Sequence, residues 1–103
     1  MDWKDSKNKK LVKAILALET PHEAKRFLRD LMTKGEIEEF GKRFKAAEML
    51  WKKESYSNIK KETGFSSTTV ARVSKWLSNG EGGYKIIINK LHHKSGQSRR
   101  GSA

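Results

Sequence analysis

A chain of 103 residues with a net charge of +11 has room for one modest core and carries a strong excess of cations. Only 35% of it is hydrophobic, little for a self-sufficient monomer, so association between copies is one way to complete the burial. The absence of cysteine excludes a disulfide framework or a thiolate metal site and is compatible with a reducing cytoplasm, the expected location. No apolar run approaches the ~20 residues of a membrane span, and the opening MDWKDSKNKK has no signal-peptide core behind its charges. The charge is uneven: residues 1–50 hold 12 Lys/Arg against 9 Asp/Glu, and residues 51–103 hold 11 against 3. A polyanionic partner follows, most simply nucleic acid.

In chain order, Leu11, Val12, Ile15, Leu16 and Leu18 form a broad apolar stripe, predicting a helix from Asp5 to Leu18. Thr20-Pro21-His22-Glu23 opens a second, with Thr20 as cap, Pro21 as first helical residue and Glu23 as back-bonding carboxylate. Ala24, Phe27, Leu28, Leu31 and Met32 line one side of it. Thr33 and Glu36 repeat the capping pattern ahead of the longest helix, expected over 35–53. Ile37, Phe40, Phe44, Ala47, Leu50 and Trp51 recur along it at spacings of three and four, which reads as core.

Residues 56–77, YSNIKKETGFSSTTVARVSKWL, read as a helix-turn-helix. Ile59 packs across the turn against Val70 and Val73. Gly64 suits the left-handed end of the first helix, and the Ser66 hydroxyl suits the cap of the second. The second helix then presents Ser67, Thr68, Thr69, Arg72 and Lys75 away from the core. Hydroxyls and cations near a helix N-terminus suit both phosphates and base edges in a major groove. The candidate DNA-binding residues are Lys60, Ser66, Ser67, Thr68, Thr69, Arg72 and Lys75. A generic motif has a small residue where Lys60 stands.

A flexible break at 78–83 follows. Residues 84–91, YKIIINKL, favour a strand by propensity. Tyr84, Ile87, Ile88 and Leu91 also share a helical face, and a lone strand has no partner in the sequence, so a helix is expected. Adjacent His92 and His93 diverge on a helix and make no metal site. Residues 1–94 form the expected helical DNA-binding domain. Residues 95–103 form an expected disordered basic tail, with Arg99 and Arg100 adding non-specific attraction to DNA.

From Leu28 to Leu91 the chain resembles the Trp repressor superfamily, and within it the YerC/YecD branch. The resemblance is carried by Leu31-Met32-Thr33 with Glu36, Phe40-Gly41-Lys42-Arg43, Ile59-Lys60-Lys61-Glu62-Thr63-Gly64 and Thr69-Val70-Ala71-Arg72. Lys60 is what that branch has at its position. The resemblance implies an all-α fold of six helices, the fourth and fifth forming the reading head. It also implies an intertwined homodimer, a transcriptional repressor whose two reading helices address half-sites ~34 Å apart on double-stranded DNA. It implies an effector pocket at Met32, Thr33, Arg43, Arg72, Val73 and Trp76. Arg43 and Arg72 match the arginines that bracket the repressor's tryptophan, and Met32 and Thr33 match part of the rim. Val73 replaces a glycine and Trp76 a serine, so the indole of Trp76 is expected to fill the space and exclude free tryptophan as effector. Arg72 is equally suited to DNA contact.

An enzyme is not expected: there is no Gly-rich phosphate loop, no Cys nucleophile and no carboxylate–histidine set, and no cofactor is implied. The alternative is a nucleic-acid-binding or interaction module without operator specificity.

Overall fold

The computed structural model describes the backbone of residues 1–101 and the side chains of residues 1–93. Six helices and no strand occur among the described residues: α1 (Ser6–Leu16), α2 (Pro21–Leu31), α3 (Lys34–Trp51), α4 (Tyr56–Thr63), α5 (Ser67–Asn79) and α6 (Gly83–Gly101). The chain divides into two compact units, Met1–Ile37 and Glu38–Ala103.

The first unit is built on local caps. The Asp5 carboxylate accepts from the Lys7 N–H at 2.8 Å and starts α1 one residue later than expected. The helix closes at Leu16 rather than Leu18. Neither α1 nor α2 contains a buried residue, and Leu11, Val12, Ile15 and Leu16 remain exposed. The Thr20 hydroxyl accepts from the Glu23 N–H at 3.1 Å with Pro21 opening the helix, as the sequence predicts. The Glu23 carboxylate, however, accepts from Glu19 N–H at 3.0 Å instead of the cap residue itself, because the chain enters Thr20 extended. At Thr33 the capping box is complete: Thr33 Oγ1 accepts from Glu36 N–H at 3.1 Å, and Glu36 Oε1 from Thr33 N–H at 2.9 Å.

Helix α3 stops at Trp51, short of the expected Lys53, because Lys53 adopts a left-handed φ of 65°. Its N–H donates to the Leu50 carbonyl (2.9 Å) and the next, Glu54 N–H, to Met49 (3.0 Å). These paired bonds satisfy the last carbonyls of the helix and turn the chain into α4.

The core lies in the second unit. Ala46, Ala47 and Met49 of α3, Ile59 of α4, Val70, Val73 and Leu77 of α5, and Ile88 of α6 are buried together. Phe44, Leu50, Phe65 and Tyr84 pack against them. The 84–91 segment is helical, as expected: Ile88 is buried while Ile86 and Ile87 are exposed, a helical and not an alternating pattern. His92 of α6 lies flat on Trp51 of α3 with ring centroids 4.8 Å apart, and its Nε2 stands 3.8 Å from Glu48 Oε2. The backbone of α6 takes in residues 95–101, assigned above to a separate tail. Arg99 and Arg100 lie outside the described side chains.

Candidate nucleic-acid interface

The turn between α4 and α5 sets the direction of the candidate reading helix. Gly64 takes φ 75°, ψ 5°, and its N–H donates to the Lys60 carbonyl at 2.8 Å. A side chain there would meet the left-handed penalty of ~1–2 kcal/mol, which glycine escapes. Thr63, buried beside it, carries a role that the sequence reading missed. Its hydroxyl donates to the Ile59 carbonyl at 2.7 Å and accepts from Phe65 N–H at 3.2 Å, tying the end of α4 to the turn. A hydroxyl directly before a helix-ending glycine was the available signal. Ser66 then caps α5, its Oγ accepting from Thr69 N–H at 3.2 Å and lying 3.1 Å from Thr69 Oγ1.

Val70, Val73 and Leu77 anchor α5 on its inner side. Its outer side presents Ser67, Thr68, Arg72 and Lys75, all exposed. Thr69 is half-buried, and its hydroxyl is shared with Ser66, so both hydroxyls are engaged at the helix start. Thr68, Ala71, Arg72, Lys75, Trp76 and Asn79 line a shallow groove of about 550 Å³ along the helix. A helix of 13 residues is ~20 Å long and fits a major groove ~12 Å wide. Lys60 is exposed on the last turn of α4, close in sequence to the turn.

The residues assigned to an effector pocket fall in both units. Met32, the extended residue closing α2, and Thr33, the cap of α3, belong to the first unit. In the second unit, the Arg43 guanidinium carbon lies 5.2 Å from the Phe40 ring centroid and 5.4 Å from that of Trp76. Its Nε is 3.6 Å from Glu39 Oε2. Val73 has no exposed surface and sits in the core. Arg72 lies on the outer groove.

Trp76 also borders a second, apolar groove of about 760 Å³ with Phe44, Gly80, Glu81, Gly83, Tyr84 and Ile87. Phe44 and Tyr84 meet there with centroids 6.3 Å apart. Partial burial pushes the Tyr84 phenol above its ordinary pKa, against the pull of the Arg43 guanidinium. The sequence placed Phe44 and Tyr84 on apolar faces without joining them to Trp76, since the three come from different helices.

Residues 6–92 match the family model described as Trp repressor protein. YerC, an uncharacterized protein of Bacillus subtilis (strain 168), is 33% identical over 88 residues, 85% of each chain. Among solved structures, a TrpR-like protein from Eubacterium eligens ATCC 27750 superposes with a TM-score of 0.83 at 34% identity, over 87% of this chain and 93% of that one. A candidate Trp repressor from Staphylococcus aureus gives 0.82 at 30% identity, over 89% of this chain and 95% of its own. With its six-helix fold and a family match spanning most of its length, this chain belongs to the Trp repressor family.

Proposed function

We propose that this protein is a sequence-specific double-stranded DNA-binding transcriptional regulator, a cytoplasmic repressor that works as a homodimer. The observation that carries the reading is the outer side of α5: Ser67, Thr68, Arg72 and Lys75 stand exposed on a helix whose inner side is anchored in the core. The charge excess of the C-terminal half supplies the sequence-independent attraction to phosphate. Pairing two copies lets two such helices address half-sites one helical turn apart, ~34 Å.

Selection of bound duplexes from fragmented genomic DNA tests this. A regulator enriches one sequence class, whereas equal retention of all fragments assigns the protein to non-specific binding instead. On the enriched duplex, Thr68→Ala and Arg72→Ala each cost ~1–3 kcal/mol and relax the preference at one base position. Thr69→Ala also loosens selection, in part by freeing Ser66. Lys60→Ala and Lys75→Ala weaken binding to all sequences alike and lower the salt slope by about one. Competition gel shifts at two salt concentrations separate the two classes.

The effector, if one acts, is not tryptophan in this reading. Val73 fills core space, and the Trp76 indole already rests against Arg43. Isothermal titration with L-tryptophan is expected to give no heat of binding, and micromolar affinity refutes the assignment.

A further inference from the structure

We propose that Arg43, held against the rings of Phe40 and Trp76, is a positioning residue that fixes the direction of α5, so that the reading helix is set by a clamp within the chain rather than by an added small molecule. The inference rests on the reading of α5 as the DNA-contacting helix.

The core holds α5 along a single stripe, Val70, Val73 and Leu77. One stripe resists translation better than it resists rotation about the helix axis, and rotation decides which side chains face a groove. Trp76 lies off that stripe, 38% exposed, and borders both the outer groove and the apolar groove. It is therefore well placed to set the rotation. Its partner comes from α3, where Arg43 is itself held by Glu39 at 3.6 Å and by Phe40 one turn back at 5.2 Å. The 5.4 Å approach of the guanidinium to the indole thus ties α5 to the long helix at a second point. A planar, weakly hydrated guanidinium suits this role better than an ammonium, because it stacks on aromatic faces while its edge keeps a carboxylate partner.

The test uses full-length protein carrying Trp3→Phe and Trp51→Phe, so that Trp76 alone emits, with circular dichroism as the check on folding. Time-resolved anisotropy is expected to show Trp76 moving only with the whole protein. Arg43→Met is expected to add fast local motion. The same change weakens binding to the selected duplex about tenfold, equivalent to 1.4 kcal/mol, and leaves the salt slope as it was. Trp76→Ser gives the same loss, Trp76→Phe restores most of the affinity, and combining Arg43→Met with Trp76→Ser adds nothing further. Unchanged anisotropy and affinity in Arg43→Met overturn the clamp. A salt slope lowered by about one overturns it too, marking Arg43 as a phosphate contact. A Trp76 that Arg43→Met sets free, in a protein that enriches no duplex, overturns the DNA reading on which the clamp's role depends.

Discussion

Ile15→Asp is expected to convert the protein to a monomer and to weaken binding to a two-half-site duplex by a hundredfold or more. The reason begins with α1. Its 11 residues are too few for a helix to persist alone in water, and not one of them is buried. Yet Leu11, Val12, Ile15 and Leu16 lie at helical spacing with 40%, 42%, 52% and 77% of their surface exposed. In the proposed homodimer a second copy covers this stripe. Aspartate in its middle puts a charge where apolar surface meets apolar surface, a change that association cannot accommodate.

Losing the pair also loses the gain from binding two linked half-sites, which is typically 10²–10⁴. Sedimentation equilibrium gives the mass, and gel shifts on duplexes with one or two half-sites give the affinity. The one-half-site duplex should be bound nearly as before. A dimeric Ile15→Asp protein of unchanged affinity refutes the assignment of α1 to the interface.

Ile59→Ala is the second large effect, and it acts on the fold. Ile59 has no exposed surface and belongs, among the described residues, to a core cluster of eight that includes buried residues of α3, α5 and α6. Removing three carbons there costs the transfer free energy and leaves a cavity, together ~2–5 kcal/mol. For a domain of this size about 3 kcal/mol lowers Tm by roughly 12–24 °C. Thermal melts followed by circular dichroism at one fixed protein concentration measure it, since association shifts Tm by mass action. Exposed Lys85→Ala is the control and should stay within ~0.5 kcal/mol of the parent. A drop of less than about 5 °C in Ile59→Ala would mean that the two reading-head helices are held by something other than this core.

Where structure depended on neighbours in the chain, the sequence was readable. The Thr20, Thr33 and Ser66 caps and the Gly64 turn sit where their patterns put them, because each needs only residues within four positions. The isoleucine run was harder, since β-branched residues favour a strand by themselves. Burial of Ile88 with Tyr84 half-buried one turn earlier decided for the helix, a case of packing overriding propensity. The end of α3 was misjudged at Lys53 because few lysines adopt a left-handed backbone, and glycine is the usual signal. The approach of Arg43 to Trp76 joins residues 33 positions apart on different helices, and no periodicity encodes that. Val73 reads in the sequence both as core and as pocket wall; the structure places it in the core with no exposed surface.

The helix starts bear on how the molecule comes together. From Asp5 to Ser66, each of α1 to α5 opens on a hydroxyl or carboxylate only a few residues from the amide it holds. Turns of helix can therefore flicker into being at separate places along a newly made chain, on the sub-microsecond scale of helix–coil motion. What remains slow is the meeting of preformed pieces around Ile59 and Ile88, so the pace of maturation is governed by collision and docking rather than by the coiling of any one segment.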